Sequence, residues 1–330
     1  MSFIKKAFWF ILPVLVVAVF FFNRDDSVNS IDANDVEFNL KLNRFDSTFF
    51  NISSENLQKE LPGLREKYPA FFTGTSDQFW INQKQDDLQK KLYAEVKREL
   101  DFNSIERDIE DLLKHYYYFY PNRPEYGLTS YISNLDFYNP VIIQDSLEQI
   151  FLASDDFLGP KHPAYGQIDE YLAFYRDKRF IKSEVAENLA MAAAKVDNDD
   201  LSLLNQIIWW GKIMYAKKQW MPETEEHMIM RYPKEKWEFC QETELDIWVY
   251  FVKENLLYDT KEDTKRRFIY LSPFSKFYTD FDSKSPGMIG QWVGLKIIES
   301  YMKNNDVGLN QLIKEDFYKI FNKSKYKPNK

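Results

Sequence analysis

The chain has 330 residues, enough for one large domain or two small ones, and 45% hydrophobic with 28% charged residues is an ordinary globular balance. A formal net charge of −8 argues against nucleic acid as a partner, because phosphate binding needs a basic footprint. Only 10 glycines are present and none form a GxGxxG or GxxxxGK(S/T) run, so the sequence makes no case for a nucleotide or dinucleotide cofactor.

Residues 7–22, AFWFILPVLVVAVFFF, carry no charge, follow Lys5 and Lys6, and precede Arg24, Asp25 and Asp26. The run lies between a signal-peptide core of ~7–15 residues and a membrane span of ~17–25. Phe20, Phe21 and Phe22 are bulky where a signal peptidase needs small side chains, so residues 1–22 read as a retained membrane anchor. The positive-inside bias of Lys5 and Lys6 then places the rest of the chain on the periplasmic side of the envelope. Residues 23–38 are polar and acidic, which suits a tether, and 39–330 read as one exported domain.

Apolar spacings of three and four predict helix from about Asp86 to Tyr118, with a break at Asn103-Ser104 and an end at Pro121 and Pro124. Between Tyr126 and Leu152 the runs YISNLDFY, PVIIQ and LEQIFLA predict a small sheet. From Ala164 onward the chain reads as helical, through LAFYRDKRFI, SEVAENLAMAAAKV, LSLLNQIIWWGKIMYAKKQW, KWEFCQETELDIWVYFVKENLLY, GMIGQWVGLKIIESYM and LNQLIKEDFYKIF. The fold class is therefore α+β, mainly helical, with one small sheet. The lysine-rich tail after Lys319 reads as solvated and frayed.

Candidate chemistry is sparse. His115, His162 and His227 form no HxxxH or HExxH, and Cys240, the one cysteine, reads as a buried free thiol. Glu244 shares a helical face with Trp237, Cys240, Ile247, Trp248 and Phe251, and an acid in an apolar stripe needs a partner. An ion pair or capping contact is one reading and a ligand-facing acid the other. Ser285-Pro286 resembles an N-cap followed by proline at the first helical position. Gly290 and Gly294 then share one side of that helix, where each costs ~1 kcal/mol relative to alanine, so a helix or a ligand must approach closely there.

SPFSKFY followed by SPGMIGQWVGLKIIESYM resembles the C-terminal signature of the gliding-motility lipoprotein GldB family of Bacteroidota. DDFLGPKHPAY, LSLLNQIIWWGKIMY, EHMIMRYPKEKWEFCQETELDIWVYFVKENLLY and the closing KYKP resemble family features in the same order. The resemblance implies an envelope component required for gliding, acting without catalysis, cofactor or metal on other gliding-motility envelope proteins. The candidate interaction residues are Glu244, Trp248, Pro273, Phe274, Lys276, Pro286, Gly287, Gly290, Trp292 and Gly294. The family in turn resembles zinc proteases of the HExxH type. That implies a degenerate zincin-like scaffold in which AENLAMAAAK lacks the histidines and Trp210 stands where an acid would precede Gly211. Alternatives are a residual hydrolase using Glu244, and a glycan-binding module resting on the 57 aromatic residues (28 Phe, 21 Tyr, 8 Trp). Family members are typically lipidated at a cysteine closing the signal peptide, and this chain has Phe20-Phe21-Phe22-Asn23 there.

Overall fold

The structure, a computed structural model, describes residues 33–195 and 197–329. The expected anchor over 7–22 and the first part of the tether lie outside the described residues. Among the described residues no helix is long and apolar enough to cross a membrane.

The sheet has four strands in the order β1-β2-β4-β3. Strands β1 (Leu42–Arg44), β2 (Gly127–Tyr131) and β4 (Gln149–Ala153) run parallel, and β3 (Val141–Gln144) pairs antiparallel with β4 at one edge. β2 is buried along almost its whole length, as a parallel strand covered on both faces must be. β1 escapes sequence reading because it is short and half-buried. YISNLDFY belongs to the sheet only through Tyr131; the rest is a loop in which Asn134 and Leu135 both take positive φ, 67° and 63°.

Helices α1 (Phe45–Asn51), α2 (Leu57–Lys67) and α3 (Asp77–Gln85) pack around their own aromatic core of Phe45, Phe49, Phe72 and Trp80. Next come α4 (Asp87–Glu99) and α5 (Phe102–Phe119). Their break falls just before the expected Asn103-Ser104, because the Asp101 carboxylate caps α5 by accepting from the Asn103 N–H at 3.1 Å.

The main core gathers around α6 (Ile181–Ala193), α7 (Leu203–Trp220) and α10 (Ile289–Asn304), joined by α8 (Lys234–Glu242), α9 (Glu244–Lys253) and α11 (Phe317–Ser324). KWEFCQETELDIWVYF is two helices, broken at Thr243, whose hydroxyl bonds back to the Phe239 carbonyl. LAFYRDKRFI forms only short turns, around Glu170–Phe174 and Lys178–Phe180. Ser285 is not the N-cap: α10 starts at Ile289, whose N–H donates to Ser275 Oγ at 3.2 Å, and the buried Ser285 hydroxyl ties its loop together by donating to carbonyl oxygens of that segment. The tail is held rather than frayed up to Asn329.

Candidate functional site

The ten residues singled out by sequence fall in three places. Glu244 is buried, and its two oxygens accept from Tyr326 Oη and Asn329 Nδ2, each at 2.8 Å. The Trp248 ring meets Tyr326 edge-on at 5.1 Å, so this pair clamps the C-terminal tail. Gly290, Trp292 and Gly294 lie in the core, where a Cβ on Gly294 would stand 2.0 Å from the Ile207 carbonyl oxygen of α7 and one on Gly211 2.4 Å from Gly294. A Cβ on Gly290 would stand 2.9 Å from the Phe268 carbonyl oxygen. Pro273, Pro286 and Gly287 line a surface cavity of about 610 Å³ together with Phe174, Tyr175 and Tyr232. Phe274 is half-buried beside them, and the exposed Lys276 offers its carbonyl to Arg267 Nε at 2.9 Å. No single cleft unites the ten.

The densest chemistry sits next to that cavity, in a second one of about 290 Å³ that shares Tyr175 as a wall. Its polar floor comes from α6, which projects Glu184 and Glu187 three residues apart on one face. Arg231, in a loop where its φ is +54°, aims one guanidinium nitrogen at each: Nη2 donates to Glu187 at 2.6 Å and Nη1 to Glu184. Lys217 of α7, fully buried, donates to the other oxygen of Glu187 at 2.7 Å. Burial lowers both cations, Arg231 to about 10, and Glu187 opposes the loss of charge on Lys217. Two acids thus meet two bases, the arrangement a buried ionic cluster requires. Trp210 lines the same cavity, so α6 and the residue before Gly211 do converge, on carboxylates and an indole rather than a ligand set.

Behind the cavity, two acids follow β4. Asp155 accepts from the Ser133 N–H at 2.7 Å, the Leu135 N–H at 2.8 Å and Ser133 Oγ at 3.2 Å, which holds the left-handed turn at Asn134 and Leu135. A bulky residue in that conformation is strained, and such strain persists only where neighbours over-determine it. Asp156 is fully buried and neither oxygen has a hydrogen-bond partner among the described residues. Burial first, and then the neighbouring Asp155, push its carboxyl up to about 8, while the Arg176 guanidinium pulls the other way. Arg176 Nη2 donates to the Phe137 carbonyl at 3.0 Å, which fixes the loop that carries Tyr138 to the cavity's rim.

Among the described residues no group of three His, Cys, Asp or Glu is placed to hold a metal ion. Each histidine has a partner of its own: His115 lies against Asp111, His162 against Glu95 and His227 against Glu225. Sequence reasoning passed over Asp155, Asp156, Arg176, Glu184, Glu187, Lys217 and Arg231. A usable signal existed in two acids directly after the apolar strand QIFLAS, and in two acids on the apolar helix SEVAENLAMAAA.

The family model described as "Gliding motility protein GldB" matches residues 26–328. The chain belongs to the GldB family. No curated protein and no solved structure matches it. The GldB match spans the sheet, the ionic cleft and all of the tail clamp but Asn329, and the family name implies involvement in gliding motility.

Proposed function

We propose that this chain is a non-catalytic, envelope-attached docking component of the gliding apparatus, and that the ionic cleft between the loop before β3 and the start of α10 is its working surface. The family description supports the motility role and its lipoprotein designation supports envelope attachment. One observation carries the non-catalytic reading: Glu184 and Glu187, the only carboxylates lining the cleft among the described residues, are both engaged by Arg231, and Glu187 by Lys217 as well. A carboxylate pinned between two cations is a poor general base, because its lone pairs are already occupied by hydrogen bonds. Glu244 is in the same position, with both oxygens bonded in the tail clamp. A four-stranded sheet with an antiparallel edge strand beside a carboxylate-bearing helix is also what a zincin-like scaffold without its metal would look like, which supports an inherited cleft put to binding use.

The test is a gene deletion complemented with cleft-rim variants. Tyr138 and Tyr270 are 94% and 42% exposed, so alanine at both leaves the fold intact. The deletion strain is expected to lose spreading on agar while growing normally in liquid, and the double variant to restore it only weakly. Normal spreading in the deletion strain removes the motility role. Full rescue by the variant, at wild-type abundance, removes the cleft.

A further inference from the structure

A third cavity, of about 420 Å³, lies on the other side of the Asp155-held loop, where α1, α3 and α4 meet the end of β2. Its volume is that of a small-molecule site. Phe50, Phe71 and Phe79 present aromatic surface to it, Phe79 being 42% exposed. Gln83, Gln89 and Tyr131 bring polar groups. Gln89 decides its character: the residue is 7% exposed, yet its side-chain amide has no hydrogen-bond partner among the described residues. Its amide atoms are not sealed off like those of the fully buried unpaired groups elsewhere in the domain, so a ligand that supplies their partners replaces solvent in the cavity. The Gln83 amide and the Tyr131 hydroxyl likewise have no partner there, and burial raises the Tyr131 phenol, keeping it a neutral donor.

We propose that this cavity binds a neutral carbohydrate. The one charged group in its wall, Asp46, is already satisfied by Arg44 Nε at 2.9 Å, Arg44 Nη2 at 2.6 Å and Ser130 Oγ at 2.7 Å, so nothing is left to attract an ionic ligand. A carboxamide offers a donor and an acceptor side by side, which matches two adjacent sugar hydroxyls, and aromatic faces match the C–H faces of a pyranose. A lipid chain would leave all three polar groups unpaired. A peptide adding as a strand finds no free edge on β2, the strand that borders the cavity, because β1 lies on one side of it and β4 on the other. The walls are also fixed in advance: Lys84 Nζ donates to the Phe49 and Phe50 carbonyls at 2.9 and 2.7 Å, and Asp155 holds the Ser133–Leu135 rim. Pre-organisation of this kind lowers the ordering cost of binding.

The experiment is calorimetric titration of the full chain, in a detergent without a sugar headgroup, against maltotriose, cellotriose, mannotriose and chitotriose, with trigalacturonate as the charged control. At least one neutral sugar is expected to bind saturably, with Gln89→Ala and Phe79→Ala each weakening it roughly tenfold, and Tyr270→Ala at the ionic cleft leaving it unchanged. Phe79 is exposed enough that its variant folds even if Gln89→Ala does not, and thermal melting checks both. No neutral sugar bound at concentrations up to about 10 mM, affinity unaffected by Phe79→Ala, or binding confined to the acidic sugar would each overturn the proposal. The readout does not involve spreading, so this site stands or falls separately from the docking role.

Discussion

Helix α7 is packed in two opposite ways. At its crossing with α10 it uses shape: Gly211 and Gly294 let the backbones touch, and the one ion pair between the two helices among the described residues, Lys218 to Glu299 at 2.7 Å, lies further along. Against α6 it uses charge: Lys217 reaches Glu187, which Arg231 shares with Glu184. The first contact leaves no room for one added methyl group. The second tolerates small changes of volume but not the loss of one charge. One helix therefore separates a rigid seam from a cleft whose floor is polar, buried and balanced.

The balance can be broken most strongly with pH. Asp156 is raised from its ordinary 3.8 to about 8, so the folded state holds a proton that the unfolded state releases between those values. Its contribution to stability is fully present below pH 3.8 and is lost as pH rises through about 8. Comparing denaturant unfolding of wild type with Asp156→Asn across that window isolates it, with an expected difference on the order of 5 kcal/mol. Curves that run parallel from acid to alkaline pH would show that the cluster neutralises Asp156 in another way.

Glu187→Ala should come next, costing about 3–5 kcal/mol, because it strands a fully buried ammonium. Adding Lys217→Met should return most of that loss. If the double variant is no more stable than the single one, the charge account of this face is wrong. On the other face Gly294→Ala should cost about 3 kcal/mol by overpacking, measured by the same unfolding curves, and should be insensitive to salt. The smallest effect expected is that of Glu244→Gln, about 1–2 kcal/mol, since an amide keeps one acceptor for Tyr326 or Asn329. Limited proteolysis near the tail should register it before global unfolding does.

The two faces were not equally legible. Paired glycines inside a helix are costly locally, so the sequence alone announces a close approach at Gly290 and Gly294, although not that Gly211 answers it. The charged face announces its two acids on an apolar helix but not their partner, because Arg231 lies 44 and 47 residues from the carboxylates it pairs and reaches them through a left-handed loop residue. Likewise YISNLDFY has the composition of a strand, but Asp155, 20 to 22 residues further on, supplies hydrogen bonds that outweigh its β propensity. Glu244 was correctly seen to need a partner, yet its partners arrive from the tail. Most helices from Asp86 onward and strands β3 and β4 were legible in short-range spacing, whereas α1 to α3, β1 and nearly all of β2 were not; the cleft was assembled from contacts that only the tertiary fold brings together.

The tail clamp places a condition on biogenesis. Glu244 receives its hydrogen bonds from residues 82 and 85 positions later, so a nascent domain carries an unsatisfied interior carboxylate until residues 326–329 have emerged. Closure is thus a late event in the life of each molecule. A chain stopped short of Tyr326 would present that open acid, and a Trp248 ring left with Phe321 but without Tyr326, to proteases.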